Sequence, residues 1–173
     1  MKTFNVSTLM TCALACAMSI PFAASAGESI AVAATKINYG DKFEVVLDDK
    51  NAGRMVYFFS FHATNRAIRG GNLIEGSKNT GGGYADVTNG RGHLSGFDVN
   101  EQDGDTYKAG WAGECYPVNG SDGKPVPHCD GGWSVVPASG TGRFAGISGG
   151  GQWHGHALPD GNFAVEWSGT LEK

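Results

Sequence analysis

Two histidines, His154 and His156, are separated by a single residue, a spacing that is suited to acid–base catalysis or ligand binding. The pair precedes the turn-forming sequence Pro159-Asp160-Gly161-Asn162, so residues 151–158 and 163–171 are predicted to form a hairpin. Side chains two residues apart on a strand share a face, which places both histidines on one face. A histidine inside a protein can act as a general base or hydrogen-bond a ligand, so both are candidate catalytic residues.

The predicted pairing of this hairpin decides where the histidines point. If Leu158 pairs with Phe163, His156 faces Val165 and His154 faces Trp167. That face is mostly apolar, and we therefore expect it to be interior. A turn one residue longer or shorter would move both histidines to the opposite face, where they would be ordinary solvated side chains.

The same His-x-His spacing occurs in metal sites, which need further ligands. Glu166 falls on the opposite face in this register. His62, His93 or Asp98 could complete a site only if the fold brought them close to the pair. We predict no metal and no cofactor.

Cys115 and Cys129 form the second feature with chemical consequences. Their spacing is not that of a Cys-x-x-Cys redox motif, and polar and proline residues separate them. We therefore predict a structural disulfide, with a redox-active or metal-bound pair as the alternative. Closing this loop would stabilise the fold by about 3 kcal/mol.

The first 26 residues have the layout of a secretory signal peptide. Lys2 is followed by an uncharged, apolar stretch, and Ala24-Ser25-Ala26 is a small-residue cleavage site. The apolar stretch is shorter than the roughly 20 residues that span a bilayer. We predict cleavage near Ala26 and a periplasmic or secreted protein, whose single domain covers residues 27–173.

The net charge of the chain argues against nucleic acid as a binding partner. The chain has 13 basic and 17 acidic residues, and its formal net charge is −4. Nucleic-acid binding calls for clustered Lys and Arg, so we predict no nucleic-acid partner. We also predict no membrane span in the mature chain, whereas the sequence leaves the oligomeric state open.

Glycine and aromatic residues together predict an all-β fold. The 28 glycines are interspersed with β-forming residues, as expected for tight turns and close backbone approaches. Residues 54–64 form the clearest strand, with Tyr57, Phe59 and Phe61 on one face. We expect these three aromatics, with Phe163 and Trp167 of the last strand, to line a ligand cavity.

Strand spacing indicates the architecture. About eight short strands separated by turn signals predict an eight-stranded antiparallel, calycin-like β-barrel, with a β-sandwich as the alternative. Asn89-Gly90 is typical of a type I′ hairpin turn. Residues 77–83, with three consecutive glycines, are predicted to be a loop, and residues 143–147 a strand.

The glycine-rich segment Ser139-Gly-Thr-Gly-Arg-Phe-Ala-Gly-Ile-Ser-Gly-Gly-Gly resembles a motif of the allene oxide cyclase and dirigent superfamily. The flanking segments Trp133-Ser134-Val135-Val136 and Gly149-Gly150-Gly151-Gln152-Trp153 fit the pattern of small exported bacterial members. The similarity covers residues 133–170. It implies an eight-stranded barrel with an apolar cavity. Independently of the resemblance, the glycines around Phe144 permit sharp turns, and we expect Phe144 to plug one end of the barrel.

Three functions are consistent with these observations. The first is binding of a small apolar ligand in the barrel without turnover. The second is a cyclase or isomerase that acts on a small hydrophobic substrate in the same cavity. The third is a scaffold or envelope interaction protein whose barrel is filled by its own side chains.

Overall fold

The computed structural model describes residues 27–38, 43–45, 53–120 and 122–173. The predicted signal peptide and its cleavage site near Ala26 lie outside these residues. Among the residues that are described, no helix is long and apolar enough to cross a membrane.

The described chain is all-β, as the sequence predicts. The ten strands are β1 (Glu28–Asn38), β2 (Phe43–Val45), β3 (Arg54–Thr64), β4 (Arg66–Arg69), β5 (Lys78–Thr88), β6 (Arg91–Gln102), β7 (Asp105–Asn119), β8 (Pro125–Val135), β9 (Ser148–Ala157) and β10 (Phe163–Glu172). A single turn of 3₁₀ helix, Gly142–Phe144, lies between β8 and β9.

The strands form one antiparallel sheet in the order β2-β3-β5-β6-β7-β8-β9-β10-β1-β4. Most neighbours in the sheet are also neighbours in sequence, and short connections join β5 to β6, β6 to β7 and β9 to β10. The β5–β6 hairpin turns at Asn89 and Gly90, whose φ angles of 51° and 75° fit the predicted type I′ turn. The end of β1 also pairs with β3, through Ile37 opposite His62 and Asn38 opposite Phe61.

The inner face of the sheet, defined here as the face that carries the buried side chains, holds the hydrophobic core. On β1 the buried residues Ile30, Val32 and Ala34 alternate with more exposed ones. Phe144 is fully buried, and its ring centroid lies 5.0 Å from that of Tyr107. The 3₁₀ turn therefore packs into one end of the core.

Two segments differ from their predicted structure. Residues 78–83, predicted as part of a loop, belong to β5, and the three glycines Gly81, Gly82 and Gly83 pair with residues of β3 and β6. Residues 143–147, predicted as a strand, contain the end of the 3₁₀ helix and a turn. Consecutive glycines indicated a loop because they lack β-propensity. Here an added Cβ would lie 2.9 Å from a ring atom of Phe61 at Gly81 and 2.6 Å from one of Trp111 at Gly83.

Gly96 on β6 shows why the inner face needs glycine. A Cβ atom at this position would lie 2.5 Å from Cζ2 of Trp111, and closer still to the carbonyl oxygen of Gly82. No side chain can occupy that space unless the tryptophan or the neighbouring strand moves.

Gly96→Ala is therefore expected to lower the free energy of unfolding by about 1–3 kcal/mol, the usual cost of overpacking. The matched control is Gly110→Ala on β7, where the nearest atom to an added Cβ is 4.0 Å away. Urea denaturation of both variants measures the difference. Equal stability of the two variants would contradict the assignment of Gly96 as a packing position.

Candidate functional site

A cavity of about 310 Å³ lies on the inner face of the sheet. All four tryptophans of the chain line it, one each from β7, β8, β9 and β10. Their side chains are neighbours: the ring centroids of Trp133 and Trp167 are 4.8 Å apart, and those of Trp111 and Trp153 are 6.3 Å apart. The wall of the cavity is therefore largely aromatic.

The five aromatic residues predicted to contact a ligand all line this cavity. Tyr57, Phe59 and Phe61 come from successive inward positions of β3, and Phe163 and Trp167 from β10. Phe59 also approaches Trp111, with ring centroids 6.0 Å apart. Whether these side chains bind a ligand stays a prediction.

The predicted disulfide between Cys115 and Cys129 is confirmed, and both cysteines line the cavity. The two residues are direct cross-strand partners on β7 and β8. The segment between them is therefore a continuation of the hairpin rather than a free loop, and the bridge fixes one wall of the cavity.

A charged pair, Lys36 and Asp98, interrupts the apolar lining. Lys36 Nζ lies 3.2 Å from Asp98 Oδ2, and the two side chains are only 16% and 10% exposed. The indole Nε1 of Trp111 donates to Asp98 Oδ1, and Asn79 Nδ2 donates to Oδ2 at 2.7 Å. The carboxylate therefore accepts three hydrogen bonds, which is the condition for keeping a buried charge.

The Lys36 ammonium group lies against aromatic faces. Its Nζ is 3.8 Å from the ring centroid of Phe61 and 5.8 Å from that of Trp111. Burial lowers the pKa of Lys36, and its attraction to Asp98 and the hydrogen bond between them oppose that shift.

An amide network continues from this pair along the cavity. Asn79 and Asn65 each donate to Asn100 Oδ1 at 2.8 Å, and Asn65 also donates to Ser77 Oγ at 2.9 Å. The hydroxyl of Tyr107 is buried and has no hydrogen-bond partner among the described residues. Burial, with the nearby Asp98 charge, raises the pKa of this phenol. One end of the cavity is thus polar.

The prediction that His154 and His156 point into the interior is wrong. The β9–β10 connection holds five residues, 158–162, so Ala157 pairs with Phe163 and His156 with Ala164. This register differs by one residue from the predicted one and reverses the faces. Both histidines are exposed, and the inward positions of β9 belong to Trp153 and Gly155.

On the outer face the histidines have polar neighbours. His154 Nε2 is 3.4 Å from Glu166 Oε2, and the ring of His156 stacks on that of His128 with centroids 5.3 Å apart. Glu166 therefore shares the face of the histidines, contrary to the predicted register. In the described part of the chain, no three His, Cys, Asp or Glu residues converge in an arrangement that could hold a metal ion.

A shallow groove on the outer face offers a second, weaker apolar surface. Phe58, Tyr84 and Phe97 line it, and all three are exposed. Glycines form much of its base, so it is nearly flat, whereas ligand sites are usually concave.

Sequence reasoning missed Lys36 as a cavity residue and considered Asp98 only as a metal ligand. The available signal was the alternation Ile30-Val32-Ala34-Lys36, which places the lysine on the buried face of β1. A lysine at such a position needs a partner, and its partner lies 62 residues away.

Comparison with known proteins gives little beyond this geometry. No family model and no curated protein match the chain. A solved structure from Shewanella oneidensis MR-1, described as a protein with unknown function from the DUF3224 family, is 17% identical. The alignment covers 84% of this chain and 99% of that one, with a TM-score of 0.45.

Proposed function

We propose that the protein is an exported β-barrel that binds one small apolar ligand in its interior without turning it over. The observation that carries this proposal is the cavity of about 310 Å³, whose lining includes nine aromatic side chains among the described residues. This volume is at the lower end of the range for small-molecule sites, roughly 300–1,000 Å³. The ligand is therefore small, of the size of one or two rings.

A closed barrel would support this function, because closure would shield the ligand from water. β1 pairs with β10 along most of its length and with β3 at its end, and these pairings support the proposed barrel. Burial of apolar ligand surface then supplies the binding free energy, at about 25 cal/mol per Å².

Export is part of the proposal. A buried disulfide such as Cys115–Cys129 persists in oxidising compartments, which agrees with a periplasmic or secreted location. We also propose a distant relationship to the allene oxide cyclase and dirigent superfamily. Its support is the glycine-rich motif of residues 139–151, in which the ring of Phe144 is fully buried.

The described side chains favour binding over histidine-based turnover. The cyclase interpretation needs an acid–base residue in the cavity, and the two candidate histidines lie on the outer face. The titratable side chains in the lining are Lys36, Asp98, Tyr57 and Tyr107. The first two neutralise each other and hold the polar end together.

Calorimetric titration with 2-isopropylnaphthalene tests the proposal. The wild-type protein is expected to bind one molecule with a negative heat-capacity change, which marks apolar burial. Ala157→Trp, which fills part of the cavity, should abolish binding. The control Ala112→Trp, at an exposed outer position of β7, should bind like the wild type.

Two results would count against the proposal. Absence of binding to the wild type would indicate a cavity too closed or too rigid for this ligand class, and would favour the filled-barrel scaffold. Equal binding by wild type and Ala157→Trp would place the probe elsewhere, with the outer groove as the first place to look.

A further inference from the structure

The Lys36 ammonium group has hydrogen-bonding capacity that the described residues do not use. An ammonium group has three N–H donors, and among the described residues only Asp98 accepts one of them. The remaining donors lie beside the rings of Phe61 and Trp111, in the wall of the cavity. Lys36 can therefore donate a hydrogen bond to a ligand atom at the polar end of the cavity.

We propose that Lys36 is the specificity-determining residue of the cavity and that it donates a hydrogen bond to the oxygen of a neutral aromatic carbonyl compound. This inference rests on the proposed binding function and adds the chemical class of the ligand. In this arrangement the ring system packs among the tryptophans, and the carbonyl points toward the Lys36–Asp98 pair.

The charge of the site selects a neutral ligand. Among the described residues, Lys36 and Asp98 are the only charged ones in the lining, and their charges cancel. A carboxylate would add a second anion beside Asp98 in a region with little water, and the cost of burying an unbalanced charge would oppose binding. A carbonyl oxygen accepts a hydrogen bond without adding charge.

The rings of the site select an aromatic ligand. The tryptophan pairs meet edge to face, at interplanar angles of 78° in both cases. A flat ring between such walls can make the same offset and edge contacts, which are worth about 0.5–1.5 kcal/mol each beyond area burial.

Three naphthalenes of similar shape separate the ligand classes. We expect 2-acetylnaphthalene, which has a neutral carbonyl, to bind about 10-fold more tightly than 2-isopropylnaphthalene, which has no acceptor. This factor follows from the net value of a hydrogen bond to a charged donor. The anion 2-naphthoate is expected to bind most weakly of the three.

The carbonyl group itself reports the contact. Infrared spectroscopy of 2-acetylnaphthalene labelled with carbon-13 at the carbonyl should give a lower stretching frequency in the protein than in an alkane. The frequency should return to the alkane value in Lys36→Met. Because that variant leaves Asp98 without its ion pair, Lys36→Met/Asp98→Asn provides a second test, and it should lose most of the preference for the acetyl compound.

The outcomes distinguish this inference from the function on which it rests. If none of the three compounds binds, the cavity function itself fails. If all three bind equally, with an alkane-like carbonyl frequency, the cavity function stands and the role of Lys36 is refuted. Tightest binding of 2-naphthoate would also refute it, because the ligand class would then be anionic.

Discussion

Lys36→Met is expected to lower the free energy of unfolding by about 3–5 kcal/mol, because it leaves the Asp98 carboxylate buried without its countercharge. Asp98 would keep its hydrogen bonds from Trp111 and Asn79, but these neutral donors do not balance its charge. Urea denaturation at neutral pH measures the loss. The double variant Lys36→Met/Asp98→Asn should recover most of it, since no charge then remains buried.

A surface ion pair provides the control for this result. Lys78, whose side chain is 78% exposed, lies 3.9 Å from Glu101, and Lys78→Met should change stability by less than about 1 kcal/mol. A loss in Lys36→Met as small as that in Lys78→Met would show that the Lys36–Asp98 pair is not buried as described.

Removal of the disulfide should cost nearly as much. The bridge joins Cys115 and Cys129 over a separation of 14 residues, and loss of such a cross-link destabilises a small domain by about 2–5 kcal/mol. The double variant Cys115→Ala/Cys129→Ala isolates this effect, with thermal unfolding as the measurement. Hydrogen exchange should accelerate first in β7 and β8, where the bridge connects directly paired residues.

Wild-type protein reduced with a thiol is the appropriate comparison for that variant, because it loses the cross-link but keeps both sulfur atoms. The two should unfold at similar temperatures. If both remain as stable as the oxidised protein, the strand pairing alone holds this wall of the cavity, and the bridge contributes little to stability.

Local periodicity was enough to predict the class of fold and part of the cavity. On β3, Tyr57, Phe59 and Phe61 recur at every second residue, and a strand has only two faces to which they could belong. The final hairpin shows what local periodicity cannot predict. Its strands were predicted, but its faces depend on whether the connection has four or five residues, and the sequence around Asp160-Gly161 permits both.

Non-local contacts were the other source of error. Gly81, Gly82 and Gly83 are typical of a loop when read along the chain, yet an added Cβ at Gly83 would lie 2.6 Å from a ring atom of Trp111 on β7. The Lys36–Asp98 pair likewise depends on β1 and β6 meeting across the cavity. The residue pattern within β1 or within β6 does not predict that the two strands face each other.

These positions define what the cavity can recognise. Aromatic side chains supply apolar contact, and Lys36 with Asp98 supplies polarity without net charge. The ligand that we propose satisfies both, because it is small, ring-bearing and neutral. We therefore prefer ligand binding to the filled-barrel scaffold as the proposed function, because a barrel packed solely for stability would gain little from a buried ion pair.

The most direct test of the central claim is to locate a bound apolar probe by NMR. Intermolecular nuclear Overhauser effects between 2-isopropylnaphthalene and the assigned aromatic side chains would identify the binding surface. We expect contacts to Phe59, Trp111 and Trp153 in the cavity. Contacts to the exposed Tyr84 and Phe97 of the outer groove instead, or no contacts at all, would contradict it.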